Sequence, residues 1–215
     1  MPRNISDLYQ LARFIVRKEI GVFILPNGFA SNLDNGQMDA FEEYFKLNGV
    51  NQEVHDALRV FRTTAGFITN VDGTVGYQTN YMHLLGSPYT ITGSTINEIT
   101  FVDDATFKSA MVSQLRAVDT SYPIALENSA GFTVYPNLPQ QTGSYNYLKR
   151  PNTPVFGYTQ VGRVITYNPL TSTQLQWVEV YWNNILAKTL VYYGVYMNEE
   201  GVYKYAELYN EQTKP

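Results

Sequence analysis

The chain has 215 residues, 44% hydrophobic and only 16% charged, with 18 Tyr, 2 Trp and 0 Cys. That length builds one domain with a real core, or at most two small ones. The lack of cysteine excludes disulfides, thiolate metal sites and cysteine nucleophiles, and a net charge of −4 argues against binding nucleic acid by phosphate neutralisation, which needs a basic patch.

In chain order, the N-terminus lacks the apolar run of a signal peptide, and no stretch approaches the ~20 apolar residues of a membrane span. The expectation is a protein made in a reducing cytosol. Ile5, Leu8, Leu11, Ala12, Ile15 and Val16 recur at helical spacing, which predicts a helix over 5–17 with Asn4 or Ser6 as N-cap. Pro26-Asn27-Gly28 reads as a turn, followed by a second helix over 28–47. Its stripe is Phe29 or Ala30, Leu33, Gln37 or Met38, Phe41, Tyr44 and Phe45, with Gly36 weakening the centre. A short third helix is predicted over 52–61.

Residues 62–100 are rich in Thr, Gly, Asn and Tyr and read as strands and loops. Helical spacing returns at about 104–116, capped by Asp103 or Asp104. Residues 123–135 read as a hairpin, with Asn128-Ser129-Ala130-Gly131 as its loop and Gly131 in the φ > 0 position. The stretch YLKRPNTPVFGYT, residues 147–159, reads as a strand that Pro151 and Pro154 release into an extended segment. A short strand follows in VGRVITYNP. Thr171 and Gln174 match a capping box, predicting a long helix from about 171 to 193 ended by Gly194, and a last helix covers 198–211. The fold class is therefore α+β in a single domain: helical over 4–61, β-rich over 62–100 and 120–168, helical over 171–211.

The chemistry-bearing residues are sparse. The two histidines, His55 and His83, lie far apart in sequence, with no nucleophile elbow and no HExxH. A half-buried structural His83 is the favoured reading over a catalytic one. Glu42-Glu43, Asp103-Asp104 and Glu199-Glu200 are adjacent pairs, and neighbours on a helix do not face each other. No phosphate-binding loop occurs, and Gly73-Thr74-Val75-Gly76 reads only as a turn. The chain is read as no enzyme, with no cofactor and no metal. The many tyrosines suit either an interface or a sheet. Trp177 and Trp182, five apart on one predicted helix, favour packing over a sugar platform. In the 147–159 stretch, the PxxP match is weak as a partner ligand, and Lys149 and Arg150 are too few for a DNA clamp.

The order of landmarks carries more than any one motif. FEEYFKLNG, ALRVF, YMHLL, SYPIALENSAGFTVYPN, YLKRPNTPVFGYT, ITYNPLTSTQLQWVE and GVYMNEEGVYKYAELYNEQ follow one another along nearly the whole chain. This series resembles a family of virion structural proteins in tailed phages of Bacteroidetes hosts, including crAss-like phages. The resemblance implies a ring or adaptor protein of the neck or short tail, a homo-oligomer around the portal axis in a twelvefold ring. Its partners would be the portal protein and neighbouring tail rings, with double-stranded DNA passing through the lumen without sequence-specific binding. It implies a place in the virion, with synthesis in the host cytoplasm. Subunit contacts are expected from Tyr147, Lys149, Arg150, Pro151, Pro154, Phe156 and Tyr158. Residues 63–80 match nothing in that series. The alternative is a tail-associated binding module for a receptor or glycan, and a third reading is a wall-degrading hydrolase built on His83.

Overall fold

The computed structural model describes residues 4–47, 52–112, 119–137, 140–162 and 164–213. Helices stand at both ends and strands fill the middle, the α+β arrangement expected. Within it the chain forms two compact units, one made of Met1–Val60 with Pro151–Pro215, the other of Phe61–Arg150.

The first unit is mainly helical. Helix α1 (Ile5–Ile20) begins where the Asn4 side chain accepts a hydrogen bond from the Asp7 N–H and ends at Gly21 in the left-handed conformation. Its apolar stripe is buried throughout, as the spacing requires. Helix α2 (Pro26–Lys46) starts two residues before the expected point. The sequence suggests a turn at Pro26, but a proline is well placed in the first helical turn, where its missing N–H has no intrahelical partner to lose. Helix α3 (Gln52–Leu58) closes in a 3-10 turn, Arg59–Phe61.

The predicted long helix from 171 does not form. Residues 169–171 make a 3-10 turn, the chain then runs extended, and after a second 3-10 turn helix α5 covers only Trp182–Val191. The capping-box residues have other partners. Gln174 accepts from the Ile5 N–H at 2.7 Å and donates to the Tyr167 hydroxyl at 2.8 Å, while Thr173 forms a bridge with Val155. Long-range hydrogen bonds thus replace the local cap. Gly194 does adopt the left-handed conformation, with φ of 79°. Helix α6 (Glu199–Thr213) follows. Helix α5 packs on α1, α2 and α6, and its Ile185, Leu186 and Leu190 are buried in the core of this unit.

The second unit is a pair of four-stranded sheets. Strands β1 (Arg62–Ile68), β3 (Tyr81–Thr92), β4 (Thr95–Glu98) and β8 (Thr142–Lys149) form one, in the order β1-β8-β3-β4. Strands β2 (Thr74–Gly76), β5 (Thr100–Phe101), β6 (Ile124–Asn128) and β7 (Gly131–Tyr135) form the other, in the order β2-β7-β6-β5. Helix α4 (Asp104–Val112) connects β5 to its parallel neighbour β6, the crossover a parallel pair requires. The end of the predicted 104–116 helix lies outside the described residues. The core joins Ala65, Phe67, Tyr145 and Tyr147 of the first sheet to Val75, Ala125, Phe132 and Val134 of the second. Phe67 and Phe132 meet edge to face at 5.6 Å.

The hairpin β6–β7 forms, but Asn128 and Gly131 pair with each other, so its connection is two residues rather than the four expected. Gly131 does not have a positive φ; it is needed because a Cβ there would fall 1.9 Å from the Val75 carbonyl oxygen on β2. Residues 63–80 are now placed as most of β1, a turn through Asp72 and Gly73, and β2. The Asp72 carboxylate accepts from both the N–H and the hydroxyl of Thr74, which holds its pKa below the usual carboxylate range. The unit's two ends lie side by side, since Arg62 pairs with Leu148 in the β1–β8 ladder. Adjacent entry and exit points are what an inserted unit needs.

Strands β9 (Tyr158–Val161) and β10 (Val164–Tyr167) form a separate antiparallel hairpin in the first unit.

Candidate interaction surface

The residues expected at a subunit contact divide at the boundary between the units. Tyr147 and Lys149 end β8, and Arg150 follows it as the last residue of that unit. Tyr147 is buried, and its hydroxyl donates to Asn80 Oδ1 at 3.0 Å. Lys149 is half-buried, and the exposed Arg150 donates its backbone N–H to the Asn80 carbonyl at 2.7 Å.

The strand stops at Lys149 as the prolines dictate, and 150–154 run without regular structure. They do not project as an arm. Pro151 and Pro154 are buried, and Phe156 is 4% exposed with its ring 4.7 Å from Tyr9 and 5.2 Å from Tyr167. Gln37, read from spacing as one candidate for the apolar stripe of α2, donates its side-chain amide to the Asn152 carbonyl at 3.0 Å and to Asp34 at 2.7 Å. The Gln176 side chain accepts from the Asn152 N–H at 3.0 Å. This part of the stretch is held inside its own unit by packing and hydrogen bonds. Tyr158 is half-buried and begins β9, its ring 6.3 Å from Phe156. The side chains of the stretch that reach solvent most are Arg150, Asn152, Thr153, Val155 and Thr159.

The remaining chemistry-bearing residues are structural in their contacts. His55 is half-buried on α3 in one unit, and His83 half-buried on β3 in the other, paired with Leu148. Asp103 accepts from the Thr106 N–H at 2.8 Å as the N-cap of α4, a bond that lowers its pKa. Glu43 pairs with Lys188, and Glu200 with Lys204. Among the described residues no group of three or more His, Asp or Glu is placed to hold a metal ion, and no helix is long and apolar enough to cross a membrane. Trp177 and Trp182 are 3% and 4% exposed, and the Trp182 indole donates to the Trp177 carbonyl. They do not share a helix, since Trp177 precedes it.

Several tyrosines account for the unusual composition from within. Tyr77 and Tyr81 stack at 3.7 Å, and Tyr145 and Tyr147 pack beside them. Burial pushes the phenols of Tyr77, Tyr81 and Tyr145 up, and the Glu127 carboxylate that accepts the Tyr77 hydroxyl at 2.7 Å adds to the effect there. Burial also pushes Tyr193 up to about 12. An acid with a raised folded pKa keeps its proton longer folded than unfolded, so its contribution is present below pH ~10 and is lost as pH rises from there. The urea midpoint is therefore expected to fall steadily between pH ~10 and pH ~12, and Tyr193→Phe to flatten that fall. A midpoint constant across this range would contradict the assignment.

What the spacing did not flag is a cationic face on α1. Arg13, Arg17 and Lys18 lie on LARFIVRKEI with Phe14, and Arg17 sits 5.9 Å from the centroid of the exposed Phe23. Phe23 is 72% exposed and Leu25 70%. The signal in the sequence is the i, i+4 spacing of Arg13 and Arg17, which the net negative charge of the chain masks.

No family model matches the chain, and no curated protein matches it.

Proposed function

We propose that the chain is a structural virion protein, the subunit of a homo-oligomeric ring in the neck or tail of a tailed phage, carrying neighbouring ring proteins and letting DNA pass. The resemblance along the chain motivates the reading. The observation that carries it is the large apolar side chains left in solvent by the first unit, Val22, Phe23 and Leu25 before α2 and Val161, Val164 and Leu170 around the β9–β10 hairpin. Groups of exposed apolar residues rimmed by polar ones mark surfaces that meet other proteins. Several carboxylates, by contrast, go into a cap, a turn and an ion pair, as Asp103, Asp72 and Glu43 do. No second reading is favoured by a comparable observation: the two tryptophans that would line a glycan site are buried.

Native mass spectrometry of the purified chain, alone and with the cognate portal, tests this. A closed ring in either condition is expected. A monomer in both would overturn the proposal.

A further inference from the structure

The first unit carries two surface patches of opposite charge, one near each end of α6. At the C-terminal end, the groove between α1, the 21–25 segment and α6 has a volume of about 170 Å³ and is lined by Arg13, Phe14, Arg17, Phe23 and Tyr209, among others. Phe14 is fixed there by edge contacts to Tyr205 at 6.2 Å and Tyr209 at 5.4 Å. Arg13 and Arg17 lie over the Tyr9 and Phe23 rings, and neither they nor Lys18 forms an ion pair among the described residues. The Glu19 carboxylate beside them accepts from the Tyr205 hydroxyl. Glu207 and Glu211 also belong to this end of α6, but the lining of the groove itself holds two arginines and no carboxylate, which leaves it positive in a chain whose net charge is −4.

At the N-terminal end of α6 the balance reverses. Glu199 lines a shallow depression with Lys188, Val191 and Met197. On the adjoining α2–α5 seam, Glu43 pairs with that same Lys188, and Asp39 accepts from the Tyr192 hydroxyl at 2.7 Å. Glu43 takes up the charge of Lys188, and Asp39 and Glu199 add two further carboxylates. Val191 and Tyr192 are exposed here, and Tyr196 in the connection to α6 is 81% exposed. Glu199 and Tyr209 are ten residues apart on one helix, so the two patches are separated by about 15 Å.

We infer that these patches are the two halves of a contact between copies of this chain, the cationic aromatic groove of one copy receiving the acidic, tyrosine-bearing patch of the next. The occupant is a second copy because both halves, complementary in charge and each with exposed apolar side chains, are on one compact unit. Unlike patches make a heterologous contact, the kind that builds a ring when its rotation closes. The inference rests on the ring reading above and adds where the subunits meet. Charge complementarity sets the register and speeds encounter, so association weakens with salt.

Sedimentation velocity over a concentration series, at low and high salt and with and without the portal, tests it. Arg17→Glu and Glu199→Lys are each expected to weaken self-association about tenfold or more. The double variant Arg17→Glu/Glu199→Lys is expected to recover part of that loss, because the reversed pair is again complementary. Phe23→Ser, in an exposed position outside any helix, is expected to weaken association with no change in thermal unfolding, which separates loss of contact from loss of fold. If wild type forms rings and none of the variants alters them, this contact is wrong while the ring reading stands. If wild type is monomeric in every condition, both fail. If Arg17→Glu affects only binding to the portal, the patch serves that partner and the second-copy inference is overturned.

Discussion

Gly36→Val is expected to destabilise the helical unit by about 3 kcal/mol or more. Helix α2 crosses α5 at this glycine. A Cβ at residue 36 would fall 2.3 Å from Thr189 Oγ1, 2.8 Å from its backbone nitrogen and 3.0 Å from its Cα. The Thr189 side chain cannot swing aside cheaply, since its hydroxyl donates to the Ile185 carbonyl at 2.8 Å in a fully buried position. The two helices must therefore separate, loosening Phe41 and Leu33 from Ile185 and Leu190. In an isolated helix Gly→Ala gains about 1 kcal/mol; here that gain opposes overpacking, which costs typically ~1–3 kcal/mol. Gly36→Ala is thus expected to be a net loss smaller than that of Gly36→Val. Thr189→Ala removes only the nearest of the three atoms, so combined with Gly36→Ala it should recover part of the loss, a coupling that a double-mutant cycle measures. Both tryptophans belong to this unit, so tryptophan fluorescence in urea reports it separately from the β-rich unit. A Gly36→Val midpoint equal to wild type would show that the two helices do not approach so closely.

The same glycine shows where sequence reading succeeds and where it stops. An interior glycine in α2 was legible as a local weakness, because propensity is a property of the residue. Its reason was not, because the atom it makes room for is 153 residues away. Helix α1 was legible in its start and its stripe, which depend on neighbours within one or two turns, although Asn4 and Ser6 both fitted as cap and the helix runs three residues past the expected end, to Ile20. Strand β8 and the hairpin β6–β7 were legible for the same reason, as alternating runs bounded by turn and proline signals. The capping box at Thr171 was a correct local pattern with a different outcome. Ser172 donates to Asn168 and accepts from the Gly157 N–H, Thr173 bridges to Val155, and Gln174 reaches Ile5 and Tyr167. A cap contributes about 1 kcal/mol, and several long-range hydrogen bonds with the burial of Leu175 and Trp177 outweigh it.

The candidate site divides along the same line. That 147–159 would be a strand released by prolines was readable from the residues themselves. Where its far half would dock was not, because the partners are Tyr9, Asp34, Gln37 and Gln176, scattered over three other segments. The cationic face of α1 is the opposite case. Its residues are adjacent in sequence, but what makes it a patch is the fold, which brings Phe23 and Tyr209 beside it and lines the groove with arginines and no carboxylate.

Phe156→Ala is the variant that separates a docked segment from an interface arm. If Phe156 served a neighbouring subunit, its truncation would weaken assembly and leave the monomer's stability nearly unchanged. The structure instead buries the ring against Tyr9, Tyr158 and Tyr167, and Tyr9 in turn packs on Phe29 at 5.3 Å and donates its hydroxyl to the Ile24 carbonyl at 2.9 Å. Removing a buried phenylalanine costs about 3–5 kcal/mol through lost transfer energy and the cavity left behind. The cavity would open beside Gly157, where a Cβ would already meet Thr171 Oγ1 at 2.1 Å, so the backbone there is tightly placed and can collapse only in part. The expected result is a large fall in the urea midpoint of the monomer, followed by tryptophan fluorescence, whether or not rings form. Asn152→Ala is the matching control: its side chain is exposed and its contacts to Gln37 and Gln176 are made by the backbone, so stability should change by less than about 0.5 kcal/mol. Equal, small effects from both variants would return Phe156 to the surface and restore the segment as a free arm.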